Sequence, residues 1–114
     1  MRQAEIFVNG ARAGILYDHT GQKYSFVYDS DYSGELVSLT MPLEKERFEF
    51  DSFPPFFDGL LPEGIMLDAL LKKKKIDKND LFEQLVNVGN DLVGAVTVRE
   101  IRSNVNDESV IELK

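Results

Sequence analysis

This chain of 114 residues contains no cysteine, no tryptophan and a single histidine. Without cysteine it forms no disulfide and offers no thiolate to a metal ion. A zinc site needs several side-chain ligands, and one histidine beside carboxylates does not make a typical set. We therefore expect no metal site and no cofactor.

Long apolar runs are absent as well. No stretch approaches the roughly 18 apolar residues that cross a bilayer, and the N-terminal residues lack the apolar centre of a signal peptide. We expect a cytoplasmic protein that makes no contact with a membrane.

Positive charge is scarce compared with negative charge. The chain has 13 Lys and Arg against 20 Asp and Glu, and its net charge is −7. Nucleic-acid binding depends on cations that neutralise phosphates, so we expect no direct contact with DNA or RNA. A basic surface on a partner protein suits this charge better.

The chain has the length of one domain with a modest core, and we expect a single domain over residues 1–114. Its first half is rich in turn signals between alternating apolar segments. Asn9-Gly10 predicts a two-residue hairpin turn, and Gly14 suggests a bulge in the return strand. The predicted strands of this half are 4–8, 11–17, 23–28, 36–40 and, as a short strand or extended arm, 46–50.

The second half changes to a helical period. Residues 54–61 predict one helical turn, and Pro62 is suited to the first position of a helix that runs to about Lys74. On that helix Met66, Leu67, Leu70 and Leu71 form one apolar stripe. A further helix starts within 77–80 and directs Leu81, Phe82, Leu85 and Val86 inward, with Gly89 as its C′ residue. Residues 94–101 alternate as a strand, 103–109 are polar and expected to be mobile, and 110–113 are a last candidate strand.

These elements predict an α+β fold. We expect a small antiparallel sheet of about five to six strands, partly barrel-like, packed with two to three helices.

The sequence lacks the usual parts of a phosphoryl-transfer enzyme. It has no Gly-Lys-Ser/Thr, no His-Arg-Asp and no Asp-Phe-Gly, which would cradle phosphates, supply the base and hold magnesium. His19 is the one histidine available as a base, and its position between two strands favours an exposed turn residue. We predict no catalytic residues. The enzyme alternative is a small hydrolase that uses His19 or the Asp-rich loop.

An aromatic and proline-rich segment, residues 53–64, precedes the long helix. Burial preference favours Phe56 and Phe57 as core residues, whereas a rigid aromatic loop is also a good anchor for a partner. Ile65 lies off the apolar stripe, where it either staples the preceding loop or forms a surface knob. The run Lys72–Lys75 complements the helix dipole or binds a partner. The candidate partner-binding residues are Phe56, Phe57, Asp58, Leu60, Glu63, Ile65, Met66, Ala69 and Lys72.

Three segments together resemble a known family. The family pattern reads F-F-x-x-L-L-P-E-G, then a helix with D-x-F-x-L-L, then G-x-D-x-x-G-A-V. The matching residues here are Phe56, Phe57, Leu60, Leu61, Pro62, Glu63, Gly64, Asp80, Phe82, Leu85, Gly89, Asp91, Gly94, Ala95 and Val96. By them the chain resembles the N-terminal subdomain of HipA, a bacterial serine/threonine kinase toxin, over nearly its whole length.

The resemblance implies a role. In split systems called HipBST, a small HipS-like protein binds the shorter kinase HipT and restrains it as an antitoxin. Since this chain ends where a kinase would begin, we expect it to be such a stand-alone HipS-like protein. Its implied partners are a HipT-like kinase and, through the complex, a helix-turn-helix HipB-like repressor. The alternative is an assembly subunit that joins kinase and repressor without inhibiting.

Overall fold

The computed structural model of the chain describes residues 1–20, 22–92 and 94–102. In chain order the elements are β1 (Arg2–Val8), β2 (Ala11–Asp18), β3 (Tyr24–Tyr28), β4 (Arg47–Phe50), α1 (Pro55–Asp58), α2 (Gly64–Lys74), α3 (Leu81–Asn87) and β5 (Val96–Ile101). The predicted mobile segment 103–109 and the predicted strand 110–113 lie outside the described residues.

The strands form one antiparallel sheet in the order β4-β3-β2-β1-β5. β4 and β5 are its two edges, so the sheet is open and does not close into a barrel. Five strands and three helices confirm the α+β class. Because β1 is paired with both β2 and β5, the first and last strands of the described chain are neighbours.

The first hairpin follows the local sequence. Asn9 and Gly10 have φ angles of 52° and 85°, the two positive values that a type I′ turn requires. The register of β1 against β2 shifts after Ile6, which faces Gly14, while Phe7 faces Arg12. The extra residue is Ala13, so the predicted bulge lies next to Gly14.

The predicted strand at 36–40 is wrong. Its backbone turns instead of pairing, and the Met41 N–H donates to the Ser38 carbonyl at 2.9 Å. The Tyr28 hydroxyl holds this segment, because it accepts from the Val37 N–H at 3.0 Å and donates to the Met41 carbonyl at 2.6 Å. The sheet edge beside β3 is occupied by β4.

One face of the sheet carries the core together with α1, α3 and the loop that Tyr28 holds. Its buried apolar residues are Ala4, Ile6, Val8, Ala13, Leu16, Phe26, Tyr28, Val37, Met41, Phe48, Phe53, Phe57, Phe82, Leu85, Val96 and Val98. Aromatic rings meet at its centre, where the Phe26 ring lies 4.8 Å from that of Tyr28 and 6.2 Å from that of Phe57. Such pairs prefer the tilted and edge-on contacts seen here.

α3 is positioned as predicted. Asp80 is its N-cap and accepts a hydrogen bond from the Glu83 N–H at 3.2 Å. Phe82 and Leu85 are buried, and Leu81 and Val86 are partly buried against the core. The predicted inward face of this helix is therefore confirmed.

An ion-pair network joins this helix to the sheet. The Arg2 guanidinium donates to Asp80 through two nitrogens at 3.0 Å and to the buried Asp18 at 2.6 Å. Burial favours the neutral form of Asp80, but hydrogen bonds from Arg2 and from the Glu83 N–H outweigh it and lower the pKa of Asp80. The hydrogen bond to Asp80 is the main cause of the raised pKa of Arg2.

α2 begins later than predicted. The chain is still extended at Glu63, with φ −131° and ψ 164°, so Pro62 is not the first helical residue. Gly64 then takes a φ of 60°, a conformation that costs glycine little. This turn at Gly64 sets the direction in which the helix leaves the loop.

Candidate partner-binding surface

The helix α2 buries none of its eleven residues. It is made of good helix formers, mainly Leu, Ala, Met and Lys. It ends at Lys75, which takes the left-handed conformation and donates its N–H to the Leu71 carbonyl. Of the predicted stripe, Met66 is exposed and Leu67, Leu70 and Leu71 are only partly buried by the described residues.

Two apolar side chains at the start of α2 are strongly exposed. Ile65 is 85% exposed and Met66 is 71% exposed. Of the two interpretations of Ile65, this exposure favours the surface knob over the staple. Met66 was predicted both on the apolar stripe and among the partner-binding residues, and its side chain lies on the surface of α2.

A cleft of about 720 Å³ separates α2 from the rest of the domain. One wall is the helix itself, with Met66, Ala69 and Leu70. The opposite wall combines residues 59–62 with the end of α3 and the segment that follows it, from Asn87 to Leu92. Leu60, Leu61 and Leu92 on this second wall pack against the core, which makes it the better anchored of the two.

The structure brings together some of the predicted partner-binding residues. Leu60, Met66 and Ala69 line the cleft. Ile65 and Lys72 are exposed on α2, and Asp58 and Glu63 are exposed on the segment before it.

The two phenylalanines are placed differently. Phe56 is partly buried and lines a separate pocket of about 340 Å³ beside β4. Phe57 is completely buried and contacts Phe26. As a contact residue Phe57 is therefore a correction: its ring belongs to the core and is not on the surface.

Cleft residues that the prediction missed are Leu70, Lys73, Lys74, Asp91 and Leu92. Helical spacing alone could have placed Leu70 and Lys73 beside Met66 and Ala69. Asp91 and Leu92 are brought there only by the packing of α3 on the sheet.

The positive charges of the lysine run lie at the end of this helix. No ion pair joins any of the four lysines, Lys72–Lys75, to a carboxylate within residues 1–20, 22–92 and 94–102. They complement the helix dipole. They also give a local positive patch to an otherwise acidic chain.

The glycine motif after α3 has a structural role. Gly89 is the C′ residue, as predicted, and its carbonyl accepts the Val98 N–H of β5 at 3.0 Å. A Cβ atom on Gly89 would lie 1.9 Å from the Val98 carbonyl oxygen. A side chain at this position would therefore force α3 away from the sheet.

The His19 side chain is less exposed than expected. Its Nε2 lies 2.6 Å from the Ser25 hydroxyl, and its ring stacks on Tyr17. Ser25 is fully buried under this contact.

Two features are absent from the described residues, a metal-binding cluster and a membrane-spanning helix. Within them, no three His, Cys, Asp or Glu side chains are grouped in a way that would hold a metal ion. None of the helices in this part of the chain is long and apolar enough to span a membrane.

An open antiparallel sheet with three helices, and a cleft beside the largely exposed α2, defines a small α+β domain. The family described as the HipA N-terminal domain matches residues 4–99. The chain belongs to this family.

Individual relatives agree with the family match. An uncharacterized protein of Haemophilus influenzae is 36% identical over 101 residues, which are 88% of this chain and 93% of the relative. A solved structure of the N-terminal domain of HipA toxin superimposes with a TM-score of 0.70 at 32% identity, covering 91% of this chain and 96% of that one. The fold and the family expected from the motifs are thus confirmed.

Proposed function

We propose that this chain is a HipS-like antitoxin that binds a HipA-type serine/threonine kinase, HipT-like in the split HipBST systems, and restrains it. The main support is the surface of α2, where Ile65 and Met66 are exposed on a helix none of whose residues is fully buried. Large exposed apolar side chains side by side are typical of protein-binding surfaces.

The family and the charge of the chain support the same proposal. A domain of the HipA N-terminal family is expected to pack on a kinase, and a net charge of −7 suits the basic nucleotide cleft of such an enzyme. Inhibition then works by blocking the active site or by holding the kinase lobes apart.

In this proposal the protein acts in the cytoplasm, catalyses no reaction and meets a HipB-like repressor only through the kinase. The alternative role is an assembly subunit that binds the kinase without inhibiting it. Both roles predict a complex, and only the antitoxin predicts that a toxic kinase stops harming its host.

The experiment is co-expression with the kinase encoded beside this chain, with growth and co-purification scored together. Growth rescue with a stable complex supports the antitoxin, and a complex without rescue supports the assembly subunit. If neither occurs, both proposals fail. The His19→Ala variant should behave as wild type, and loss of an enzymatic activity with this variant would favour the hydrolase.

A matched pair of variants tests the surface. Ile65→Glu should weaken kinase binding while the domain stays folded. Leu39→Glu makes the same change at a side chain that is 91% exposed on the loop after β3, and it should bind as wild type. Equal binding by both variants would exclude Ile65 from the interface.

A further inference from the structure

The cleft beside α2 has the form of a receptor for a peptide segment. A helix of eleven residues is about 16 Å long at 1.5 Å per residue. Isolated helices shorter than about 12–15 residues are marginal in water, and packing of an apolar face normally stabilises them. α2 has that face, but none of its residues is fully buried, and Leu67, Leu70 and Leu71 are only partly buried, so a segment in the cleft would add packing to it.

The two walls present apolar side chains to each other. Met66 and Leu70 project from α2, and Leu60 and Leu92 lie on the opposite wall. None of the large apolar side chains of α2 is among those packed against the core. An occupant with large apolar side chains would therefore bury surface on both walls at once.

The charges of the cleft select among apolar occupants. Lys73 and Lys74 line it at the C-terminal end of α2, and no carboxylate of the described residues pairs with them. These cations complement the negative end of the helix dipole. A carboxylate on the occupant would give both lysines a partner at that end.

We propose that this cleft receives an apolar segment of the partner kinase whose carboxylates meet Lys73 and Lys74. The proposal rests on the proposed function, because it names the part of the kinase that the antitoxin holds. An anionic membrane is the other surface that an apolar helix with lysines can bind. The acidic side chain of Asp91 in the cleft favours the peptide, since it would face the lipid phosphates if a membrane covered the cleft.

The apolar half of the proposal is tested with two leucines of one helix. Leu70 lines the cleft and Leu71 does not, although both are partly buried. Leu70→Ala should weaken binding of the co-expressed kinase about tenfold, whereas Leu71→Ala should leave it unchanged. Binding is measured by titration of the purified kinase, and circular dichroism checks that both variants are folded.

The charged half uses two double reversals of equal charge. Lys73→Glu with Lys74→Glu should weaken kinase binding roughly tenfold and reduce its dependence on salt. Lys75→Glu with Lys78→Glu makes the same change outside the cleft and should have little effect. Vesicles containing phosphatidylserine are titrated in parallel with the wild type, the two leucine variants and the two double lysine variants.

The outcomes separate the two proposals. If the wild type does not bind the kinase, the proposed function fails. If it binds and the two cleft variants bind as tightly as their controls, the function stands and the cleft proposal is overturned. Loss of vesicle binding without loss of kinase binding in the Lys73 and Lys74 variant would also overturn it, in favour of a membrane.

Discussion

The sheet with α3 differs from the helix α2 in how far the apolar side chains are buried. α3 buries Phe82 and Leu85 and is tied to the sheet by Arg2 and Gly89. α2 is longer, yet none of its residues is buried. Since a helix gains most of its stability from packing, the first region accounts for the fold, and the second is where a partner would add stability.

The largest expected effect is on the packed side of this comparison. Phe57→Ala removes a fully buried ring and should lower the free energy of unfolding by about 3 kcal/mol or more. Phe56→Ala, at a partly buried neighbour, should lower it by less. Urea denaturation measures both, and equal losses would mean that the two rings are not packed as described.

A smaller effect is expected at the ion-pair network. Arg2→Met leaves the buried Asp18 without its cation and should destabilise by about 2 kcal/mol at neutral pH, a value discounted because Arg2 is itself partly exposed. Arg99→Met, at a more exposed arginine that pairs with Glu5, should change stability by about 0.5 kcal/mol or less.

The network also predicts how the loss of stability caused by Arg2→Met depends on pH. The pKa of Asp80 is lowered in the folded chain, so its contribution is present above the carboxyl pKa of the unfolded chain, about 3.9. This contribution is lost as the pH falls through the lower pKa that Asp80 has in the folded chain. The destabilisation by Arg2→Met should therefore shrink below about pH 4, and a pH-independent difference would contradict the network.

The smallest effect is expected on α2. Ile65→Ser with Met66→Ser replaces two exposed side chains and should change the unfolding free energy by about 0.5 kcal/mol or less. Hydrogen exchange should find the amides of α2 less protected than those of α3 in the free protein. Equal protection of the two helices would remove the contrast between them.

Features of the fold that neighbouring residues determine could be predicted from the sequence, and features that depend on residues distant in the chain could not. The turn at Asn9-Gly10 and the start of α3 within 77–80 follow from neighbouring residues, and both were predicted. The loop at 36–40 was mistaken for a strand because a hydroxyl outside the segment, on Tyr28, determines its path. Arg2 was not singled out, since its partner Asp80 is 78 positions away.

The candidate surface divides in the same way. Helical spacing placed Ile65 away from the apolar stripe, and the structure has it exposed. The spacing did not reveal that the stripe itself is at most partly buried, because that depends on where Gly64 directs the helix. The cleft needs Asp91 and Leu92 beside α2, and only the packing of α3 on β5 brings them there.

The pairing of β1 with β5 has a consequence for synthesis of the chain. β1 leaves the ribosome before the other described strands, but the strand that pairs with its second edge is the last of those described, with Gln3 opposite Ile101. Contacts so distant in sequence form slowly, and an unpaired strand edge invites association with other chains. In nascent chains whose residues 96–101 are still inside the ribosome, this edge of β1 would be unpaired. It would be protected from association only after β5 pairs with it.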